Sequence, residues 1–156
     1  PQGRSFASWH EGSIVLYDSV ERQQRRWEAQ RTITYLAFSP DGTRLVSAGA
    51  RDLRLWDVAT GRLLRTFEGH RNRILNCDIS PDGRTLVSGD EEETKLWSIA
   101  TGQEMLTVPG GTTGVQFQPI GQRLLRAIAG GQLLLFDVEP PVSPTVDGAS
   151  QAVLTR

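Results

Sequence analysis

The sequence is poor in the residues that disulfides, metal sites and membrane-spanning helices require. Its 156 residues include one cysteine, Cys77, and two histidines, His10 and His70. A single cysteine excludes an internal disulfide, which fits a reducing compartment, and we therefore expect a cytoplasmic protein. These three residues lack the close ligand pairs of zinc sites, and no hydrophobic run approaches the roughly 20 residues of a membrane-spanning helix.

Motifs for cofactors and catalysis are also absent from the sequence. It contains no phosphate-binding loop and no nucleophile elbow, so we predict no cofactor and no catalytic residue. The acidic run at residues 90–93 lacks the alternating oxygen ligands and the glycine of a calcium loop, which favours a solvated turn. The formal net charge of −1 provides no attraction to nucleic acids or acidic membranes.

What the sequence does contain is a repeat. The stretch FSPDGTRLVS at residues 38–47 reappears as ISPDGRTLVS at residues 79–88, which is 41 residues later. Weaker copies of the segment at residues 45–57 stand at residues 6–18 and 125–137. A repeat of this length indicates one structural unit stacked on copies of itself, and such arrays usually bind partners.

Each unit divides into four short strands separated by turn signals. Residues 39–42 read Ser-Pro-Asp-Gly, which is typical of a type I turn. In the third strand of this unit, Leu53 and Leu55 share one face while Trp56 points to the other. Sheets that are apolar on both faces must lie between neighbours, and radial stacking of four-stranded sheets is a β-propeller. We therefore predict an all-β fold, a β-propeller of four-stranded antiparallel blades.

At this point the sequence resembles the WD-repeat β-propeller family, over about residues 5–139. The resemblance favours about seven blades, whereas the four units, with the first incomplete, make just under four. We therefore expect a partial ring from a longer propeller, whose edges would be covered by missing blades or by self-association. The matching elements are Gly69-His70, the Ser-Pro-Asp-Gly turns at 39–42 and 80–83, Leu-Trp-Asp at 55–57, Leu-Trp-Ser at 96–98 and Leu-Phe-Asp at 135–137.

The blade boundaries follow from the repeat. Residues 151–155 form either a final outer strand or part of a frayed polar tail. The predicted segments are an incomplete first blade at 1–31, a second blade at 32–71, a third at 72–111, a fourth at 112–139 and a proline-containing tail at 140–156.

The resemblance implies a hydrogen-bonded network inside a blade, formed by a histidine, a serine or threonine, a tryptophan and an acid. In the third unit these are His70, Ser88 and Trp97, with either Asp90 or Glu91 as the acid. The blade with the full set should be the most rigid, because buried polar networks help only when every member is satisfied.

The second unit matches this network only in part. Ser47 and Trp56 take the serine and tryptophan positions. Ala29 stands near the position of the histidine and Ala50 at that of the acid. We therefore expect at most one complete network in the chain.

The family also implies a partner-binding rim, where the turns between second and third strands cluster with the connections between units. Tryptophan and arginine are over-represented in interface hot spots, and Trp9, expected in a turn, either faces a partner or packs against the neighbouring blade. The candidate rim comprises Trp9, His10, Arg31, Arg51, Arg71, Arg73, Glu91 and Glu92.

The function expected from these features is a non-catalytic interaction scaffold or adaptor that presents the candidate rim to a protein or peptide. One alternative is a regulatory or sensor module of a larger protein, such as a bacterial-type Ser/Thr kinase. Another is a propeller enzyme with a site in the central channel, where Asp78 is the single titratable acid. The innermost strands offer this site Thr34, Tyr35, Asn76, Asp78 and Gln116.

Overall fold

The computed structural model describes residues 5–118, 123–128 and 133–137, and these residues form β-strands and turns. No helix able to span a membrane occurs among them. The strands are β1 (Ser5–His10), β2 (Ser13–Asp18), β3 (Gln23–Glu28), β4 (Tyr35–Phe38), β5 (Arg44–Ala48), β6 (Asp52–Asp57), β7 (Leu63–Glu68), β8 (Asn76–Ile79), β9 (Thr85–Gly89), β10 (Glu93–Ser98), β11 (Glu104–Pro109), β12 (Thr112–Phe117), β13 (Arg123–Ile128) and β14 (Leu133–Asp137).

The strands form antiparallel sheets in which chain neighbours pair. Strands β4 to β7 make one four-stranded sheet, and β8 to β11 make a second. Strands β1 to β3 and β12 to β14 make three-stranded sheets within the described residues. The prediction of an all-β fold with antiparallel four-stranded blades is confirmed. We call the four sheets blades 1 to 4, in chain order.

The Ser-Pro-Asp-Gly turns join the first two strands of blades 2 and 3. In the first of them, Gly42 N donates to Ser39 O at 2.8 Å, and Ser39 Oγ donates to Asp41 Oδ1 at 2.6 Å. Gly42 has a φ of 73°, a left-handed conformation that glycine adopts without steric cost. The turn of blade 3 repeats these bonds, with Gly83 N donating to Ser80 O at 2.8 Å.

The core lies between the blades, because the two four-stranded sheets bury apolar residues on both of their faces. The largest cluster joins blades 2 and 3, where Leu53, Leu55 and Phe67 pack with Cys77 and Trp97. A second cluster joins blades 1 and 2, and a third joins blades 3 and 4. This arrangement explains why the apolar side chains of β6 alternate between its two faces.

Trp56 and Leu55 show how one strand serves two interfaces. Trp56 packs toward blade 1 with Ile14 and Leu45, whereas Leu55 packs toward blade 3. Because burial is shared between neighbours, no blade has a core of its own, as expected for stacked repeats. Residues 151–155, proposed as an outer strand or a tail, lie outside the described residues.

Candidate interaction surface

A buried chain of hydrogen bonds runs through blade 3. The indole nitrogen of Trp97 donates to Ser88 Oγ at 2.8 Å, and Ser88 Oγ lies 2.7 Å from His70 Nε2. His70 Nδ1 lies 2.7 Å from Asp90 Oδ2. These contacts are consistent with one direction of donation, in which Ser88 donates to Nε2 and the protonated Nδ1 donates to the carboxylate. His70 is then a neutral ring with both nitrogens satisfied.

Burial determines the protonation of this pair. Desolvation lowers the pKa of His70, although the neighbouring Asp90 carboxylate opposes the shift. Burial by itself would raise the pKa of Asp90, but the backbone amides of Glu92 and Glu93, together with His70, hold it below its ordinary value. A neutral histidine beside an ionised aspartate is therefore the stable arrangement near neutral pH.

Asp90 connects this network to the surface loop. Its Oδ1 accepts bonds from the backbone amides of Glu92 and Glu93, both at 2.8 Å. Its carbonyl accepts from Thr112 N at 2.9 Å, which joins the loop to blade 4. Of the two acids considered from the sequence, the structure places Asp90 in the network and leaves Glu91 exposed. One carboxylate thus fixes the β9–β10 hairpin from beneath.

The same residues form a group that could in principle hold a metal ion. Ligand atoms of His70, Asp90 and Glu93 lie within 4.8 Å of one another. Both ring nitrogens of His70 are already within hydrogen-bond distance of Asp90 and Ser88, and the ammonium of Lys95 lies 3.2 Å from Glu93 Oε1. Because His70, Asp90 and Glu93 are already engaged in these contacts, the geometry favours a hydrogen-bonded structural network.

Blade 2 builds a different version of this network. Trp56 Nε1 donates to Ser47 Oγ at 2.9 Å, and Ser47 Oγ donates to Gln30 Oε1 at 2.8 Å. The buried Gln30 therefore stands where blade 3 has His70. The expectation that Ala29 occupies this position is corrected. Gln30 escapes detection from sequence because it precedes His70 by 40 residues, whereas Ser47 and Trp56 precede Ser88 and Trp97 by 41.

The position of the acid in blade 2 is also corrected, from Ala50 to Gly49. The backbone bond from Gly49 N to Asp52 O, at 2.8 Å, matches the bond from Asp90 N to Glu93 O, at 2.9 Å. A Cβ at Gly49 would collide with Gln30 Nε2. The longer glutamine side chain therefore occupies space that an aspartate would need.

The candidate rim lies above these two networks. Arg31 is in the β3–β4 connection, Arg51 in the β5–β6 hairpin, and Arg71 and Arg73 in the β7–β8 connection. Backbone bonds hold the loops together, including Ala29 N to Gly12 O and Leu75 N to Gly89 O, at 2.8 and 2.9 Å. All eight residues of the candidate rim are exposed. Within the described ranges, these four arginine side chains make no hydrogen bond or ion pair.

The two aromatic residues assigned to the rim require a correction. We expected Trp9 and His10 in a turn, but both are the last residues of β1, where Trp9 pairs with Ile14 and His10 with Ser13. The turn itself begins at Glu11. Trp9 is 46% exposed, so about half of its surface is open to solvent.

The central channel is lined by the polar side chains considered for an enzyme. Asp78 Oδ1 accepts from Ile79 N at 2.9 Å, and its Oδ2 accepts from Phe117 N of blade 4 at 2.7 Å. Asn76 Oδ1 accepts from Val115 N at 3.3 Å. Burial raises the pKa of Asp78. Both oxygens of this acid therefore bind backbone amides, and Asn76 and Asp78 connect neighbouring inner strands.

Thr34, Tyr35, Gln116 and Cys77 lie in a hydrogen bond, a cavity wall or the core. Thr34 Oγ1 donates to Ala48 O at 3.2 Å, and Tyr35 and Gln116 line a cavity of about 290 Å³. Cys77 is buried in the core between blades 2 and 3, and its burial raises the pKa of the thiol. A thiol of this kind is inert at neutral pH.

Two arginines on outer strands connect blades in a way that sequence does not reveal. Arg25 of blade 1 donates to Ala59 O of blade 2. Arg65 of blade 2 donates to Ala100 O and Thr101 O of blade 3, both at 2.9 Å. The structure gives Arg25 a defined contact between blades.

Comparisons with known proteins agree with this architecture. The family model "WD domain, G-beta repeat" matches residues 21–57 and 61–98, which cover the last strand of blade 1 and most of blades 2 and 3. Proteins built from such repeats generally mediate protein–protein interactions, and members of the family are typically non-enzymatic scaffolds.

Curated proteins that resemble the chain contain the same repeat. Denticleless protein homolog of Danio rerio is 34% identical over 87 residues, covering 46% of this chain and 13% of that protein. WD repeat domain-containing protein 83 of Danio rerio is 37% identical over 64 residues, or 40% of this chain and 18% of that protein. Intraflagellar transport protein 122 homolog of Mus musculus is 39% identical over 49 residues, or 31% and 4%.

The matched segments thus span less than a fifth of the length of these relatives. They agree with the family match and with the paired antiparallel sheets. The chain is a member of the WD-repeat β-propeller family, with WD40 repeats at residues 21–57 and 61–98.

Proposed function

We propose that the chain is a non-catalytic scaffold or adaptor that binds a protein or peptide through the candidate rim. The observation that carries the proposal is a set of exposed arginines without partners in the described residues, on loops that backbone hydrogen bonds hold in place. Fixed loops lose little conformational entropy on binding, and arginine and tryptophan are frequent hot-spot residues.

Support for a binding role also comes from how the channel residues are used. Both carboxylate oxygens of Asp78 accept hydrogen bonds from backbone amides, and Thr34 and Asn76 bind backbone atoms as well. These groups contribute to the alignment of the inner strands. Each oxygen of Asp78 accepts one backbone hydrogen bond, which assigns this acid a structural role in the inner strands.

The experiment that tests the proposal is a comparative affinity capture with the whole chain as bait. Bound proteins are quantified by mass spectrometry for the wild type, for Arg51→Ala/Arg71→Ala and for Trp9→Ala. The matched control is Arg26→Ala/Arg62→Ala, which removes two exposed arginines away from the candidate rim. Circular dichroism verifies that each variant is folded.

The expected result is a partner that is retained by the wild type and the control and lost from the rim variants. That partner is then purified and its affinity is measured directly against the same four proteins. A partner that all rim variants retain and that the control loses would contradict the proposal, because its contact surface would then lie on the outer strands.

A further inference from the structure

A groove between blades 2 and 3 lies at the edge of the sheets opposite the candidate rim. Its volume is about 520 Å³, and it is bounded by the Ser-Pro-Asp-Gly turn and the β10–β11 turn of blade 3. Its floor includes the buried side chains of Leu55 and Ile99, and one wall is Leu64, which is 39% exposed. An exposed leucine beside a buried apolar floor can receive one apolar side chain of a partner.

Three arginines surround this apolar floor. Arg44, Arg65 and Arg84 line the groove, together with one acid, Asp82. Asp82 is engaged in its own turn, where Oδ1 accepts from Ser80 Oγ at 2.6 Å and from Arg84 N at 3.0 Å. The groove therefore has an excess of positive charge.

The arginines differ in how many donors they have available. Arg65 uses Nη1 and Nη2 on the carbonyls of Thr101 and Ala100, so it is a fixed charge in the wall. The side chains of Arg44 and Arg84 make no hydrogen bond or ion pair within the described residues. The Arg44 charge is close enough to Asp41 to contribute to the lowered pKa of that acid. Arg44 and Arg84 thus offer guanidinium groups that can bind a carboxylate in bidentate fashion.

The equivalent groove between blades 1 and 2 provides a comparison inside the same molecule. It has a volume of about 420 Å³ and is lined by two acids, Asp18 and Asp57, and by one arginine, Arg25. Ser5 and Thr43 stand there at the repeat positions of Arg44 and Arg84. The repeat therefore conserves the groove while the charge changes sign, which shows that the scaffold does not require these two arginines.

We propose that the groove between blades 2 and 3 is a second binding site, which takes a short acidic segment of a protein partner. An apolar side chain of the segment fills the floor over Leu55 and Ile99, and flanking carboxylates pair with Arg44 and Arg84. The groove holds single side chains between two fixed turns, which favours an extended peptide over a membrane surface. This site is independent of the function proposed for the candidate rim.

The test uses two fluorescein-labelled hexapeptides with blocked ends and the whole chain. One alternates leucine and glutamate, and the other alternates leucine and lysine. We expect fluorescence anisotropy to show binding of the acidic peptide, weaker binding as salt rises, and no binding of the basic peptide. Arg44→Ser/Arg84→Thr installs the residues of the equivalent groove and should weaken binding by about tenfold or more.

Two further variants locate the site. Arg51→Ser/Arg71→Ser removes the same charge from the candidate rim and should leave the affinity for the acidic peptide unchanged. Leu64→Gln should weaken binding by a smaller factor while leaving its salt dependence intact. Near-ultraviolet circular dichroism verifies that each variant is folded.

Several results would overturn the proposal. One is equal binding of both peptides, and another is an affinity that falls in the rim variant and not in Arg44→Ser/Arg84→Thr. A third is no binding of the acidic peptide, with Arg44-dependent binding to phosphatidylserine vesicles instead. That last result would assign the arginines to a lipid surface.

Discussion

Blades 2 and 3 solve the same packing problem with different polar residues. In blade 3, His70 bridges Ser88 and Asp90, and the aspartate in turn fixes the amides of the following hairpin. In blade 2, Gln30 Oε1 accepts from Ser47 Oγ, and Gln30 Nε2 donates one long bond, of 3.5 Å, to Asp52 O at the base of the hairpin. Gly49 stands where blade 3 has Asp90. The tryptophan and the serine are thus common to both networks, whereas the histidine version reaches the hairpin through a carboxylate that accepts two short backbone bonds.

This difference indicates that the two halves of the network have separate roles. The tryptophan–serine bond orients the third strand against the second in both blades, with distances of 2.9 and 2.8 Å. The histidine–aspartate pair also fixes the β9–β10 hairpin, which carries Glu91 and Glu92 of the candidate rim. Because the donors and acceptors of His70, Ser88 and Asp90 satisfy one another, the network adds rigidity to blade 3.

The largest effect is expected when the histidine of blade 3 is removed. His70→Ala should lower the free energy of unfolding by about 1–3 kcal/mol, because Ser88 and Asp90 lose a buried partner. Gln30→Ala is the matched change in blade 2 and should cost less, about 1 kcal/mol, because no buried carboxylate is left unpaired. Urea denaturation followed by tryptophan fluorescence measures both. An unchanged midpoint for His70→Ala would refute the asymmetry.

A second prediction converts one blade into the other. Gly49→Asp alone should destabilise the chain, since the new Cβ collides with Gln30 Nε2. Combining it with Gln30→His should recover stability, because the shorter ring leaves room for the carboxylate and can bond to it. We expect a favourable coupling energy of about 0.5–3 kcal/mol in the double-mutant cycle. Strictly additive effects would show that the two positions do not form one network.

A third prediction concerns pH. The pKa of His70 is lowered by burial below its ordinary value of 6.5, so the unfolded chain binds this proton more readily than the folded one. Stability should therefore decrease as the pH falls below 6.5 toward the lower pKa of the folded state. His70→Gln, which copies blade 2, should remove this contribution.

The measurement for this prediction is the urea midpoint at pH 7.5 and pH 5.5, compared between the wild type and His70→Gln. The raised pKa of Asp78 acts in the opposite direction, because its protonation favours the folded state. Asp78 is present in both proteins, so the difference between them isolates His70. Equal pH dependence in the two proteins would mean that His70 does not titrate in this range.

The smallest effect is expected from the outer contact between blades. Arg65→Ala removes two hydrogen bonds to Ala100 O and Thr101 O and should cost about 1 kcal/mol or less, since the contact is exposed to solvent. Arg62→Ala, on the same outer hairpin, is the control and should be neutral. Differential scanning calorimetry compares the two variants. If both shift the melting temperature equally, the contact between blades contributes nothing specific.

Much of the fold could be predicted because the repeated motifs identify its turns and strands. The copies of the Ser-Pro-Asp-Gly turn and of the Leu-Trp pair define strands, and Ser88 and Trp97 occupy positions that periodic spacing alone identifies. The apolar residues on both faces of β6 indicate burial between neighbours, which the structure shows for Leu55 and Trp56.

The rest of the candidate surface depends on contacts that spacing does not encode. Gln30 bonds to Ser47, 17 residues later, whereas His70 bonds to Ser88, 18 residues later. The connection that follows Gln30 is thus one residue shorter. Arg25 and Arg65 act between blades, 34 to 36 residues along the chain, so their partners depend on how the blades stack. Trp9 belongs to a strand because β1 extends to His10, and no residue in that segment marks its end.

The most direct test of the central claim is hydrogen exchange at two equivalent hairpins. The amide of Glu92 donates to Asp90 Oδ1 at 2.8 Å, whereas the equivalent amide of Arg51 has no side-chain acceptor in the described residues. We expect the Glu92 amide to exchange more slowly than the Arg51 amide, as measured by NMR. We also expect His70→Ala to remove this protection and Gln30→Ala to leave it unchanged. Equal exchange at the two amides in the wild type, or protection of Glu92 that survives His70→Ala, would contradict the claim that the buried network holds the candidate rim in place.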